Sequence, residues 1–310
     1  WLSAGHGVLA LFTLLMMLTG LLLVDPASAA SRQDSASPLR ARDATRAPTV
    51  ALHYGAHAPL DSLRAFDIVV VDPHHGFDPP HYREQNAGRS ELYAYVSIGE
   101  AGPGSDMARD IPQAMLLGLN PVWGGRVIDQ RHPDWPAYFV ERVVAPLWEK
   151  GYRGFFVDTM DSYHASSKDP AVLALQQDGL ARTLELLKQR FPQAHLIANR
   201  GFELLPRIHG LIAMIAAESL FGRWDAVTRT YTEVPSADRE WLLAQFAKAR
   251  EYGLPVLSID YADPTQPDRR RTIAAQIIAA GAMPWVTDAA LMSVGTGSMR
   301  IAPRTVLVVH

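Results

Sequence analysis

Residues Gly151–Tyr163 read GYRGFFVDTMDSY, and this stretch shows the pattern that decides the fold. Turn residues precede the apolar run Gly154–Val157, and the carboxylates of Asp158 and Asp161 follow it. A continuous apolar run, rather than a strict alternation with polar residues, is typical of a parallel strand buried on both faces. We therefore predict a buried parallel strand that ends in acidic residues.

The same pattern recurs seven more times, and helical patterns lie between many of the runs. Strands that alternate with helices indicate parallel βαβ units. Eight such strands predict an α/β fold of the closed (β/α)8 TIM-barrel type, with a doubly wound open sheet as the alternative. The eight predicted strands are Val50–Tyr54, Ile68–Val71, Leu92–Ile98, Gly154–Val157, His195–Ala198, Leu211–Ala216, Pro255–Ile259 and Met283–Val286.

Four of the intervening segments have clear helical patterns. A fifth segment, Ala101–Arg131, is predicted to be a long insertion after the third strand, and long insertions at this position commonly shape a substrate cleft. Pro146 is expected to kink or shorten the first of the four helices because proline lacks a backbone N–H. The predicted helices are Pro136–Lys150, Ala171–Arg190, Ala237–Tyr252 and Asp268–Ala280.

The first 48 residues are predicted to lie outside the barrel. Val8–Val24 is an uncharged apolar run, and Ala27–Ala30 has the small residues of a signal-peptidase site. We predict a signal peptide over residues 1–30, with an uncleaved membrane anchor as the alternative. The polar residues 31–48 are predicted to be a disordered linker. Either N-terminal segment places the rest of the chain in the periplasm or outside the cell.

The barrel domain is predicted to span residues 49–300. Gly295–Gly297 is interpreted as a turn, since it is too short for a dinucleotide-binding loop. Thr305–Val309 gives a further strand signal after the eighth barrel strand. Residues 301–310 are therefore predicted to be the start of a truncated following domain, with a strand on the barrel exterior as the alternative.

Composition and charge exclude several classes of function. The chain of 310 residues is 48% hydrophobic and 20% charged, which indicates a folded protein. Its net charge of -3 offers no basic field, so a nucleic-acid partner is not expected, and a membrane only through an uncleaved N-terminal segment. The absence of cysteine excludes disulfides, thiolate catalysis and cysteine-ligated zinc.

Five histidines lie early in the sequence without the spacing of a metal site. We predict neither a metal nor a cofactor, and keep a metal-dependent hydrolase as an alternative. These histidines are His53, His57, His74, His75 and His81.

Functional residues of a TIM barrel lie at the C-terminal ends of its strands. Six of the eight predicted ends carry a carboxylate, which predicts an acidic pocket for sugars or cations. Asp is common in turns, but Glu100 and Glu218 follow apolar strands without a turn signature. Neighbouring aromatic rings could stack on sugars, whereas Tyr95, inside a strand, is expected to pack in the core. The predicted substrate-binding residues are Tyr54, Asp72, Glu100, Asp161, Tyr163, Asn199, Phe221, Trp224, Asp260 and Tyr261.

Several motifs occur together in a familiar order: AYVSIGE at Ala94–Glu100, then GYRGFFVDTMDSY, with Ile128-Asp129 and Pro133–Trp135 between them. NRGFE at Asn199–Glu203 and AESLF at Ala217–Phe221 follow. The chain thereby resembles the endo-α-1,4-polygalactosaminidases of glycoside hydrolase family 114. The resemblance implies endo-acting hydrolysis of α-1,4-linked galactosamine- and N-acetylgalactosamine-rich exopolysaccharide. It also implies a role in biofilm matrix production, with exopolysaccharide export proteins as candidate partners.

Glycoside cleavage requires two carboxyl groups, one protonated and one ionised. We predict a retaining mechanism with Asp158 as nucleophile and Glu218 as general acid/base, an order that resembles the α-galactosidase barrels. The reversed roles stay open, and Asp161 is the rival to Asp158. An acidic mouth would attract a cationic amino sugar. The competing hypothesis is a catalytically inactive barrel that binds or guides polysaccharide during export.

Overall fold

The computed structural model describes residues 48–121 and 124–299 of the chain. Eight parallel strands pair in chain order, and the sheet curls until its first and last strands lie side by side. The predicted TIM barrel is confirmed. Its strands are β1 (Val50–His53), β2 (Ile68–Val71), β3 (Glu91–Ser97), β4 (Gly154–Asp158), β5 (His195–Asn199), β6 (Met214–Glu218), β7 (Val256–Tyr261) and β8 (Met283–Thr287).

The strands form because their apolar side chains are enclosed on both faces. Every residue of β2 is buried, and Val69, Val70 and Val71 have no exposed surface. One face fills the barrel interior and the other packs under the helices, so an uninterrupted apolar run is the expected sequence for such a strand.

All eight predicted strands occur, but the sixth was misplaced by three residues. The prediction began at Leu211, whereas the strand begins at Met214, which pairs with Ile197 of β5. Leu211 and Ile212 belong to the preceding turn. Ile212 is buried in that turn, which explains an apolar residue outside the strand. The shift matters because it makes Glu218 the last residue of the strand.

Helices cover the outside of the barrel, including the four that the sequence predicts. The helical segment Trp135–Glu149 widens into a π-helix at Phe139–Val144, just before Pro146, whose missing N–H cannot bond the carbonyl of Arg142. The α-helices are Leu60–Leu63, Pro79–Gln85, Asp106–Asp110, Trp135–Tyr138, Ala145–Glu149, Pro170–Arg190, Leu205–Ile208, Ser236–Glu251 and Pro267–Ala279. Short 3-10 helices occupy Pro73–His75, Gln113–Met115, Ser162–Ala165 and Phe202–Leu204.

Two additions to the barrel stand at the C-terminal ends of its strands. The segment after β3 forms a three-stranded antiparallel sheet of Glu100–Ala101, Arg126–Ile128 and Leu116–Leu119. After β6, Gly222–Asp225 and Thr230–Glu233 form an antiparallel hairpin. Both additions therefore lie at the barrel end that carries the predicted functional residues.

The segment interpreted as a turn is instead a short strand. Thr296–Gly297 pairs antiparallel with Trp285 and Val286 of β8. Gly295 permits this pairing, because a Cβ there would lie 2.7 Å from the ring of Trp285.

The N-terminal and C-terminal predictions fall outside the part of the chain that the structure describes. This applies to the signal peptide over residues 1–30, to residues 31–47 of the linker and to residues 301–310. Within residues 48–121 and 124–299, none of the helices combines the length and the apolar character needed to cross a membrane.

Candidate active site

Three adjacent strands each end in a polar residue of the site. Asp158 is the last residue of β4, Asn199 of β5 and Glu218 of β6. Asn199 lies between the two carboxylates and donates from Nδ2 to both, over 2.7 Å to Asp158 Oδ1 and 3.0 Å to Glu218 Oε1. The barrel therefore joins the two predicted catalytic carboxylates through a single amide group.

Two tyrosines hold the other oxygen of each carboxylate. Tyr95 donates its hydroxyl to Asp158 Oδ2 over 2.9 Å, and Tyr261 donates to Glu218 Oε2 over 2.5 Å. All four oxygens of the pair thus accept a hydrogen bond, and hydrogen bonds to charged groups are the strong ones.

The contact of Tyr95 was missed by the sequence analysis, which expected core packing alone. Its ring does pack, 5.1 Å from the ring of Tyr54, but its hydroxyl reaches Asp158. The signal available was strand alternation: Tyr95 lies on the same side of β3 as Ser97, which pairs with Asp158 of β4. Sequence could not establish that pairing register.

Burial controls the protonation of the carboxylate pair. Desolvation, followed by the negative charge of Asp158, raises the pKa of Glu218 to about 7, although hydrogen bonds from Tyr261 and Asn199 oppose the rise. Desolvation also raises the pKa of Asp158, against hydrogen bonds from Asn199, Thr159 and Tyr95. Because the charge of Asp158 acts on Glu218, Asp158 ionises first and Glu218 keeps its proton longer.

The tyrosines around the pair stay protonated at neutral pH. Burial first, and then the nearby carboxylate charges, raises the pKa of Tyr54, Tyr95 and Tyr261 well above the usual 10. They therefore act as hydrogen-bond donors throughout the range in which the carboxylates titrate.

Each of the three site residues is followed by a non-glycine residue in the left-handed backbone region. The φ angles are 63° at Thr159, 63° at Arg200 and 67° at Ser219. Such a conformation costs an L-residue roughly 1–2 kcal/mol, and it persists only where the surroundings determine it. Here the N–H of Arg200 bonds Ala216 O and that of Ser219 bonds Ile259 O, both over 2.8 Å. The chain turns sharply at all three strand ends, which fixes the side chains before the turn.

Tyr54 and Asp72 lie at the ends of β1 and β2. The ring of Tyr54 lies 5.1 Å from the ring of Tyr95, and the charges of Asp158, Glu218 and Asp72 contribute to the raised pKa of Tyr54. Asp72 accepts from the N–H of His74 over 3.0 Å and faces its Nδ1 at 2.7 Å. Burial by itself would raise the pKa of Asp72, but these hydrogen bonds outweigh it and lower the pKa.

Asp161 and Tyr163 follow β4. Asp161 is partly exposed, lies 3.9 Å from Arg200 Nε and adds its charge to the causes that raise the pKa of Asp158. Tyr163 is buried, with its ring 4.5 Å from the ring of His164. Asp161 is thus near the pair but outside its hydrogen bonds.

Two further predicted residues are enclosed by protein. Glu100 is 3% exposed and accepts from Asn120 Nδ2 over 2.8 Å within the inserted sheet. Asp260 is fully buried; its Oδ2 accepts from the N–H of Phe221 over 2.6 Å and of Gly222 over 2.7 Å. Asp260 therefore holds the loop that follows Glu218.

Trp224 lies on the hairpin after β6. Its ring stands 4.8 Å from the ring of Tyr231, whose hydroxyl accepts from the N–H of Ala289 over 3.1 Å. The hairpin is thereby tied to the loop after β8, and both Trp224 and Phe221 remain partly exposed at this end of the barrel.

No group of three or more His, Asp or Glu side chains in the described ranges is arranged to hold a metal ion. The site consists of two carboxylates, one amide and three tyrosines.

The sequence matches glycoside-hydrolase family GH114 over residues 28–305, which is most of the chain. The chain belongs to family GH114. It is a glycoside hydrolase, and the resemblance seen in its motifs is confirmed. The structure is similar to the glycoside hydrolase domain of PelA from Pseudomonas aeruginosa, with a TM-score of 0.74 and 33% identity over 82% of this chain and 100% of that domain. No curated protein sequence matches.

Two more distant structures share the fold of this GH114 barrel. Ega3 from Aspergillus fumigatus, solved in complex with galactosamine, has a TM-score of 0.57 at 14% identity, over 80% of this chain and 93% of that one. TtGalA, an α-galactosidase from Thermus thermophilus, has a TM-score of 0.50 at 14% identity, over 80% and 59%. At these identities the likeness shows the barrel fold alone.

Proposed function

We propose that this GH114 domain is an endo-acting, retaining hydrolase of α-1,4-linked exopolysaccharide rich in galactosamine and N-acetylgalactosamine. The observation that carries the proposal is the amide bridge from Asn199 to Asp158 and Glu218. The family, the likeness to the PelA domain and the galactosamine bound by Ega3 support the class of substrate.

The spacing of the two carboxylates favours retention of anomeric configuration. The two hydrogen bonds from one nitrogen, 2.7 and 3.0 Å long, set an upper limit on the separation of the two nearest oxygens. The two nearest oxygens therefore lie less than about 6 Å apart, which suits the roughly 5–5.5 Å between the carboxyl groups of retaining pairs better than the roughly 6.5–9.5 Å of inverting pairs, where there is room for a water molecule between sugar and base. A nucleophile in direct contact with the sugar needs no such room.

In the first step, an oxygen of Asp158 attacks the anomeric carbon and forms an ester bond to the sugar. The bond to the leaving oxygen breaks, and Glu218 delivers its proton to that oxygen. The pKa of Glu218, raised to about 7, keeps this proton available near neutral pH.

In the second step, the ionised Glu218 takes a proton from water as the water oxygen attacks the same anomeric carbon. The ester to Asp158 breaks, and both carboxyls return to their starting states. Tyr95 remains hydrogen-bonded to Asp158 and stabilises the carboxylate when it leaves the sugar.

A partly deacetylated polymer fits the charge of this barrel end. Free amino groups of galactosamine are cationic at neutral pH, and the carboxylates of Asp72, after β2, and Asp161, after β4, are partly exposed at this end of the barrel. They would raise the local concentration of such a polymer. The rings of Trp224 and Phe221 offer flat apolar faces for sugar units of the polymer that lie further from the cleaved bond.

The proposal includes a location in the periplasm or outside the cell, with a signal peptide or an uncleaved anchor at the N-terminus, and a role in biofilm matrix production with export proteins as partners. The apolar run and small residues within residues 8–30 support the location, and the resemblance to the family supports the role and the partners.

The experiment is to incubate the protein with α-1,4-linked galactosamine-rich polymer and follow the products by mass spectrometry and NMR. We expect a range of oligosaccharides whose newly formed reducing ends are first seen as the α-anomer. Asp158→Asn and Glu218→Gln should each lose most of the hydrolysis while still binding polymer. The matched controls Asp61→Asn and Glu233→Gln alter carboxylates that are 93% and 76% exposed and should keep wild-type turnover.

The alternatives give different results. A first product in the β-configuration would indicate inversion. Binding without cleavage by the wild-type protein would indicate an inactive, polysaccharide-guiding barrel. Near wild-type turnover in either active-site variant would overturn the assignment of that residue.

A further inference from the structure

We propose that Asn199 is a positioning residue whose single amide group sets the distance between the two catalytic carboxylates, and that it does not bind substrate. This inference rests on the proposed catalytic roles of Asp158 and Glu218, and it assigns the spacing of the pair to one side chain.

The donors of Asn199 are already used by the pair. Nδ2 carries two N–H groups, and it makes one hydrogen bond to Asp158 and one to Glu218. The residue is 3% exposed, so no donor is left for a sugar hydroxyl. Its Oδ1 is buried and receives no hydrogen bond from the described residues. The two carboxylates alone therefore orient the amide group, and in this orientation its carbonyl oxygen accepts no hydrogen bond from the described residues.

Backbone hydrogen bonds hold Asn199 in place, so that it does not move with Asp158 or Glu218. Asn199 pairs with Ala216 in the ladder between β5 and β6, and the next N–H, of Arg200, bonds the carbonyl of Ala216 over 2.8 Å. Arg200 then turns the chain at a φ of 63°. Because its strand end is fixed, Asn199 offers both carboxylates a stationary donor.

A neutral donor suits this position better than a charged one. Two carboxylates close together repel when both are ionised, and a third carboxylate would add to that repulsion. A cation between them would favour the ionised form of Glu218 and remove the acid proton. The amide stabilises ionised Asp158 without supplying a charge that would take the proton from Glu218.

Variants of Tyr95 and Tyr261 serve for comparison, because each tyrosine bonds only one of the two carboxylates. Tyr95 contacts Asp158 but not Glu218, and Tyr261 contacts Glu218 but not Asp158, in the hydrogen bonds of the described site. Removal of either hydroxyl should affect one carboxylate, whereas removal of the Asn199 amide should affect both.

The direct test measures the two carboxyl pKa values in the substrate-free protein, by carboxyl 13C NMR with assignments from Asp158→Asn and Glu218→Gln. Each hydrogen bond stabilises the ionised form, so its loss raises the pKa. We expect Asn199→Ala to raise both values, Tyr95→Phe mainly that of Asp158, and Tyr261→Phe mainly that of Glu218. Asn199→Leu has a similar size without the NH2 group and without a charge, and it serves if the alanine variant does not fold.

The second measurement separates positioning from binding. Asn199→Ala should lower kcat on polymer by about ten- to a hundred-fold and change KM by less than about threefold. Trp224→Ala, on the hairpin, is the contrasting variant and should raise KM. Unchanged carboxyl pKa values in the Asn199 variants, or a raised KM with unchanged kcat, would overturn the inference. The NMR titration needs no substrate, so a failure of the proposed hydrolysis leaves this test intact.

Discussion

The carbonyl oxygen of Thr159 lies 1.9 Å from the point that a Cβ at Gly99 would occupy. The two residues also bond to each other, since the N–H of Gly99 donates to Thr159 Oγ1 over 2.8 Å. The start of the insertion after β3 therefore packs directly against the backbone that follows Asp158. The absent side chain at position 99 allows this contact beside the end of β4.

Gly99→Ala should destabilise the protein because backbone has to move to admit the methyl group. We expect the free energy of unfolding to fall by about 2–3 kcal/mol, measured by urea denaturation, together with a loss of hydrolysis. Gly102→Ala is the matched control, since its added Cβ would meet no described atom within 4 Å. Equal stability of the two variants would contradict the close contact.

Asp260→Asn should loosen the loop after Glu218. The N–H groups of Phe221 and Gly222 both bond one carboxylate oxygen, and the uncharged amide oxygen of Asn would accept from them more weakly. The NH2 group would take the place of the other oxygen, which accepts from the hydroxyl of Ser258. We expect a loss of about 1–3 kcal/mol in the free energy of unfolding. Asp268→Asn, at a 92% exposed side chain, is the control and should change it by less than about 0.5 kcal/mol. A loss no larger than that of the control would show that these backbone bonds contribute little.

The pH dependence of hydrolysis should report the proton on Glu218. Its pKa is raised to about 7, and the general acid has to be protonated in the free enzyme. We therefore expect kcat/KM to fall about tenfold per pH unit on the basic side, starting near pH 7. An activity that declined already near pH 5 would be inconsistent with this role for Glu218.

Glu218→Gln should gain stability at high pH while it loses activity. The folded-state pKa of Glu218 is raised from 4.5 to about 7, so the protonated carboxyl favours folding below 4.5 and this contribution is lost as pH rises through 7. Above pH 7 the wild-type protein buries an ionised carboxylate, which glutamine avoids. We expect a higher Tm than wild type at pH 8 and little difference at pH 4. Glu233→Gln, an exposed control, should show no such dependence.

Local sequence patterns were sufficient to predict where the barrel strands lie. Buried parallel strands need apolar residues at consecutive positions, and short segments such as Ile68–Val71 meet this requirement. The sixth strand was misplaced because turn residues at its start, Leu211 and Ile212, are apolar for their own packing reasons. Sequence alone cannot distinguish an apolar residue buried in a strand from one buried in the turn before it.

The candidate site was predictable in outline for the same reason. Strand ends in a TIM barrel converge on one face, so carboxylates placed there by the sequence are expected to meet. The roles of individual residues were not predictable. Tyr95 packs as expected but also bonds Asp158, and Glu100, which was expected to meet substrate, lies buried beside Asn120. Those contacts depend on register and on the path of the insertion.

The sequence by itself determined the barrel, its order of strands and the position of Asp158 and Glu218 at strand ends, because these features follow from local periodicity and chain order. Only the tertiary structure decided that Asn199 joins the two carboxylates and that Tyr95 and Tyr261 hold their outer oxygens. These hydrogen bonds connect residues 19 to 63 positions apart. Their lengths are set by the pairing of neighbouring strands and by left-handed turns at Thr159, Arg200 and Ser219, which no local pattern specifies.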